Sequence, residues 1–231
     1  MRNDNFIPEA RIINLHSRGR LPHWRVDNAV YFITFRLGDS LPREIQQSLL
    51  DERKRMLRNC RTGMERARLD AAFGLRLDLE LDRGHGSGLL REHAELMASA
   101  LRHSDRARYE LHAWCVMPNH VHVMLYIARG DDVPVIVRNW KSYTAHVIRR
   151  GVIWQPEYFD RVIRSPAEFV DTRAYIRANL DRHAGNIVLA VIALTPKHLG
   201  IKWSVGSGVV ASQELRVHSL GAMYTAQHIL D

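Results

Sequence analysis

The sequence predicts an α+β domain: a ferredoxin-like β-α-β-β-α-β antiparallel sheet with helices on one face, plus a further helix at its C-terminal end. Three observations point there. Ala29–Leu37 (AVYFITFRL) is rich in aromatic and β-branched residues and reads as a strand. A long amphipathic stretch separates it from the next strands. Those two, YELHAWCVM and HVHVMLYI, are joined by the turn dipeptide Pro118-Asn119.

Taken in order, the first strand is closed by GDSLP. From Arg43 to about Arg108, REIQQSLLDERKRMLRN and REHAELMASALRH set Leu, Ile and Met on one side and charge on the other, the pattern of amphipathic helices. Between them DRGHGSG, Asp82–Gly88, is a loop by its glycines. The whole of 43–108 reads as one expanded helical crossover. Tyr109–Met117 and the HVHVMLYI run then form a hairpin. Asp131 and Asp132 read as the acidic start of a helix. That helix runs from about Val133 to Arg150, with Ile136, Trp140, Tyr143 and Val147 predicted on one apolar face, and Gly151 stops it. Tyr158–Ser165 is a short strand. Pro166–Gly185 has Pro in its first turn and Gly past its end, which marks a helix, with Phe169, Ile176 and Leu180 as its buried stripe. One domain is expected over residues 1–185, and 186–231 is an extension of unassigned role.

Composition sets bounds. The chain has 231 residues, enough for one well-packed domain with insertions. Its two cysteines, Cys60 and Cys115, form no disulfide framework and read as reduced thiols of a cytoplasmic protein. The first residues carry no apolar leader, and the longest apolar run, Ile187–Leu194, is too short to span a bilayer. A formal charge of +8 suits a polyanionic partner, though Arg-rich helices are also ordinary solvated faces.

The chemistry concentrates at PNHVHVML. Residues two apart on a strand share a face, so His120 and His122 project side by side while Val121 and Val123 face a core. Two imidazoles on one rigid strand begin a metal site; they are also what a half-exposed strand with two ordinary histidines would show. Tyr175 and Asn179 lie one turn apart on the last helix and share an edge. Of the other tyrosines, Tyr143 reads as core, and Tyr158 opens a strand without a companion ligand. Cys115 reads as a small packing residue. His112 and His146 have no ligand partner at useful spacing.

HVH after Pro-Asn, with YIRAN downstream, resembles the single-tyrosine HUH endonucleases, and in particular the REP-associated tyrosine transposases. GRLPHW, YFITFRLGDSLP, AWCVMPNHVHVML, WKSYTA and IWQPEYFDRVIRS agree, so the resemblance covers most of the chain from Gly19 to Gly185. It implies that His120 and His122 are metal ligands with Asn179 as the third, for Mg²⁺ or Mn²⁺. It implies that Tyr175 attacks a DNA phosphodiester and becomes 5′-phosphotyrosine-linked. A phenol of ordinary pKa near 10 is a poor nucleophile at neutral pH, and a divalent cation that polarises the phosphate compensates. The implied partner is single-stranded DNA folded as hairpins from palindromic repeats. Arg18, Arg20, His23, Trp24, Arg25, Arg161 and Arg164 are the candidate DNA contacts, through phosphate pairing and base stacking. A monomer is favoured; the alternative is a dimer that exchanges tyrosine helices. Two rival functions are a domesticated hairpin-binding protein that no longer cuts and a metal hydrolase without tyrosine chemistry. After Asn179 the sequence departs from the family, continuing with Leu180, and from Asn186 nothing of it is recognisable.

Overall fold

The computed structural model describes residues 12–16, 23–182 and 189–192, with seven strands and five α-helices among them. β1 (Ile12–His16) and β2 (His23–Val26) form a separate antiparallel pair. The main sheet contains β3 (Ala29–Arg36), β4 (Glu110–Val116), β5 (His120–Ile127), β6 (Phe159–Ile163) and β7 (Leu189–Ile192). Its order is β6-β3-β5-β4-β7, with every neighbouring pair antiparallel. Without β7 this is the predicted ferredoxin-like arrangement, with β3 and β5 at its centre. β1, β2 and β7 were not anticipated: each is four or five residues long and lacks an extended alternating pattern.

The helices are α1 (Arg43–Arg58), α2 (Gly63–Leu81), α3 (Ala94–Arg102), α4 (Val133–Ile148) and α5 (Pro166–Arg182). α3 and α4 cover one sheet face, where Ile33, Phe35, Trp114, Val121 and Val123 meet Met97, Leu101, Ile136 and Trp140. α5 docks on the opposite face, where Val30, Phe32, Cys115 and Met124 meet Phe169 and Ile176. The side chain of Leu180, third member of the expected stripe, lies outside the described residues.

The expanded crossover therefore divides. Its α3 joins the first face, while α1 and α2 pack near the edge of the second, closing Leu49, Leu77 and Leu81 over Phe159 of β6. Thr62 and Glu65 start α2 with a reciprocal capping box.

Three local expectations need correction. Tyr143 and Val147 are about half exposed, because the buried stripe of α4 runs through Val133, Ile136, Val137, Trp140 and Thr144, a neighbouring line on the helix. The helix stops at Ile148 with Arg149 left-handed at φ 56°, ahead of Gly151. Asp132 takes the N-cap position without a side-chain cap, and Asp131 instead pairs with Arg108 at 2.8 Å.

Gly74 explains how α2 comes so close to the sheet. A Cβ there would lie 2.6 Å from the Phe159 ring. Alanine would gain about 1 kcal/mol of helix propensity, but overpacking costs about 1–3 kcal/mol. Gly74→Ala is therefore expected to lower the thermal unfolding midpoint, against its propensity, and Phe159→Leu in the same chain should restore part of the loss.

Candidate active site

β5 carries the histidine pair on the α5 side of the sheet, and both residues are fully buried. The preceding turn is closed by Met117 N–H donating to His120 C=O at 2.9 Å. Asn119 in that turn donates its amide hydrogens to the carbonyls of Leu81 (3.1 Å) and His85 (3.0 Å). Its Oδ1 therefore faces His120 Nδ1, at 2.7 Å, and an amide oxygen only accepts. His120 thus carries its proton on Nδ1.

Thr34, the cross-strand partner of His122 on β3, stands behind that ring with its Oγ1 2.9 Å from Nδ1. The two Nε2 atoms face each other 3.0 Å apart, the distance of a hydrogen bond in which His120 Nε2, its proton being on Nδ1, accepts from His122 Nε2–H. Burial drives the pKa of His122 down to about 3, which keeps its ring neutral, the form that binds a metal. Nitrogens bound at right angles to one ion, at roughly 2.1 Å, lie about 3 Å from each other. The pair fits a divalent cation, and ring nitrogens held from behind by hydrogen bonds are the usual support of metal-binding histidines. Among the described residues, no three His, Cys, Asp or Glu side chains converge as a metal site; the expected third ligand is an amide.

Two carboxylates from α2 reach the same place. Asp82 Oδ1 is 3.9 Å from His120 Nε2. Asp78, buried, accepts the Tyr175 hydroxyl hydrogen at 3.1 Å. The pKa of Asp78 is pushed up to about 8, mainly by burial, with Asp82 adding to the rise and Tyr175 opposing it. The Tyr175 hydroxyl is pushed above the ordinary phenol range, first by burial and then by the Asp78 charge. Its ring stands edge-on to His122, centroids 5.6 Å apart, and to Phe32, which itself stacks on His122 at 5.5 Å.

Asn179 is fully buried one turn beyond Tyr175, close enough to oppose the rise in pKa of both the Tyr175 hydroxyl and the Cys115 thiol. Cys115 is the register partner of His122, so Asn179 stands beside the pair. The fold thus brings His120, His122, Tyr175 and Asn179 together. Cys115 is fully buried, in keeping with a packing role, and His112 is buried edge-on against Phe169.

The candidate DNA contacts are scattered. Arg18 and Arg20 lie outside the described residues; His23, Trp24 and Arg25 are described only as backbone in β2. Arg161 is on the tyrosine side, 5.2 Å over the Phe32 ring, bound to Glu168 and to Thr172 at 2.8 Å. Arg164 is exposed just before α5.

Sequence reasoning missed Thr34, Asn119, Asp78 and Asp82 as parts of the site. Thr34 was legible from strand alternation in YFITFR. Asp78 and Asp82 are four apart in LDLELD, one of them beside the buried Leu77, but such charge ordinarily marks a solvated face.

These features define a strand-borne imidazole pair facing a helix-borne tyrosine. Residues 90–179, which hold all four residues of the constellation, match the family model described as IS200-like transposase. A REP-associated tyrosine transposase of Escherichia coli (strain K12) is 29% identical over 103 residues, which is 44% of this chain and 62% of that protein, so the match spans less than two thirds of that relative's length. The resemblance to REP-associated tyrosine transposases is thereby borne out. Among solved structures, a REP-associated tyrosine transposase bound to a REP hairpin aligns at 20% identity with TM-score 0.47, covering 71% of this chain and 73% of that one. A transposase-like protein from Deinococcus radiodurans aligns at 17% identity and TM-score 0.27, covering 67% and 92%. Among the described residues, no helix is long and apolar enough to cross a membrane.

The raised pKa of Asp78 makes stability depend on pH. The native state binds the extra proton from about pH 4 up to about 8, so this contribution is full at low pH and is lost as pH rises through 8. His122, whose pKa is lowered, changes stability only below its unfolded value near 6.5. Between pH 6.5 and 8.5 the wild-type unfolding midpoint should therefore fall, and Asp78→Asn should flatten that fall. Thermal denaturation of the metal-free protein across this range measures it.

Proposed function

We propose that this protein is a metal-dependent, single-strand-specific DNA endonuclease and strand transferase. It would act on hairpin-forming repeats through a covalent 5′-phosphotyrosine at Tyr175. The observation that carries the reading is the pair of facing Nε2 atoms, 3.0 Å apart, with the Tyr175 ring beside them. A divalent cation would be held by His120 and His122, with Asn179 as the third ligand. When bound it would supply the charge that polarises a scissile phosphate and neutralises the transferring group.

The chain's own residues do the rest. Asn119 and Thr34 hold both imidazoles from behind with Nε2 turned inward, and Asn119 keeps the His120 proton on Nδ1. Phe32 stacks on His122 and restricts its ring. Tyr175 forms the new O–P bond as the P–O3′ bond breaks, and the leaving 3′ oxygen takes a proton from water to become a hydroxyl. The phenolic proton passes to Asp78 in its ionised form, the group that already accepts its hydrogen bond. α5 holds the tyrosine in place through the buried Phe169 and Ile176, so the nucleophile is oriented before substrate arrives. Similarity to the Escherichia coli REP-associated tyrosine transposase supports the class of reaction, and the REP hairpin bound by the solved relative suggests the type of substrate.

The test is a labelled single-stranded hairpin oligonucleotide incubated with protein and Mg²⁺ or Mn²⁺ and run on a denaturing gel. A metal-dependent protein–DNA adduct is expected, absent in Tyr175→Phe and reduced at least a hundredfold in His120→Ala. Cleavage that persists in Tyr175→Phe would refute the covalent mechanism. Asp78→Asn should slow adduct formation while leaving hairpin binding intact.

A further inference from the structure

On the face that carries the histidines, a cavity of about 470 Å³ opens between the α1–α2 pair and the sheet edge. Its walls include Leu49, Leu50, Phe73 and Leu77, and Thr34 and Arg36 of β3 also line it. Strand register ties these last two to the candidate site: Thr34 is the cross-strand partner of His122, and Arg36 of His120. The cavity therefore reaches the side chain that hydrogen-bonds His122.

Arg36 is unusual for a cation. It is only 8% exposed. Its Nη1 donates to Ser40 Oγ at 2.9 Å and to the Leu37 carbonyl at 3.4 Å. Among the described residues no carboxylate lies within ion-pair distance of it, and its pKa is lowered to about 10 by burial alone. A guanidinium removed from water without a counter-charge is costly, and guanidinium geometry matches phosphate. Lys141 approaches from α4, where it donates to the carbonyls of Gln155, Pro156 and Glu157 behind the cavity wall without lining the cavity itself. Arg36 and Lys141 repel each other, while Glu157, the acidic group of the cavity wall, offsets Lys141. A positive end, apolar walls and Gln46 and Gln155 at the lining suit a nucleotide: phosphate on the cation, base against the apolar side.

We propose that this cavity is a nucleotide subsite for the single strand next to the scissile phosphate, with Arg36 holding a backbone phosphate and the α1–α2 pair enclosing the base. The proposal rests on the DNA-processing reading above. It also gives the crossover insertion a role in binding, since Leu49, Leu50, Phe73 and Leu77 all belong to it.

The experiment compares binding of a fluorescent DNA hairpin carrying a single-stranded tail with that of the same hairpin blunt-ended. It uses fluorescence anisotropy across a salt series in the Tyr175→Phe background, where no chemistry intervenes. Arg36→Gln is expected to weaken tailed-hairpin binding about tenfold and to reduce the salt slope by about 0.7, the contribution of one single-strand phosphate. Blunt-hairpin binding should be unchanged, and Arg36→Lys should keep most of the affinity. Because Arg36 also braces Ser40, Leu50→Trp is the second variant: it fills the cavity from its partly exposed wall, leaves Arg36 in place, and should weaken only the tailed hairpin. Unchanged tailed-hairpin affinity in Leu50→Trp, or in a folded Arg36→Gln with an unchanged slope, overturns the subsite while the DNA-processing reading stands. Failure of the unmutated cavity to bind either hairpin overturns both.

Discussion

Two imidazole Nε2 atoms facing each other 3.0 Å apart in a fully buried place form the constraint to which the surrounding side chains respond. Buried polar groups brought this close keep a single arrangement only where neighbours fix both rings. The neighbours are specific. Asn119 reaches His120 from behind, and its two amide hydrogens are spent on the end of α2 and the loop after it. Thr34 reaches His122 in the same way. Loss of either support would free a ring to turn over and would disperse the pair.

Those supports tie the histidine strand to a helix that the sheet itself does not require. α2 touches the site at Leu81 through Asn119, at Asp82 near His120 and at Asp78 on Tyr175. It approaches this closely because Gly74 has no Cβ to strike Phe159. From the other side, α5 brings Tyr175 in on a packed stripe, and the Arg161 guanidinium, the Phe32 ring and the His122 ring lie one on another. The expanded crossover and the tyrosine helix are thus two jaws that close on one pair of side chains.

The sheet and its helices were legible in sequence wherever periodicity is strong. YFITFR and HVHVML alternate cleanly, and α1, α3 and α5 show helical stripes with usable start and stop residues. The four constellation residues were legible only because a local pattern, PNHVH with YIRAN, coincides with a strand and a helix. The remaining parts were not, for physical reasons. Asp78 and Asp82 depend on where an insertion folds back, which is a tertiary outcome that no local pattern encodes. Tyr143 was misassigned because a helix stripe read one line off still looks periodic, and only the packing against Trp114 and Phe35 selects the line through Trp140. β1, β2 and β7 are too short for alternation to register.

The electrostatics of the site bear on how its parts would work together. Arg36 lies toward the cavity, while Asp78 and Asp82 lie toward the tyrosine, so the histidine face is positive on one side and negative on the other. Under the proposed function, a phosphodiester drawn in at Arg36 must advance toward the Asp82 carboxylate and toward Asp78, which must ionise to take the tyrosine's proton. In a buried, low-dielectric place that approach is costly unless positive charge stands between. The imidazole nitrogens are where such charge would be held, midway between the basic cavity and the acidic helix. The same charge would stabilise Asp78 and Tyr175 in their ionised forms, reversing the upward shifts that burial imposes on both. Substrate position, cation binding and activation of the nucleophile would then be linked through one small region, which is why so many buried polar groups are concentrated there rather than replaced by a more stable apolar core.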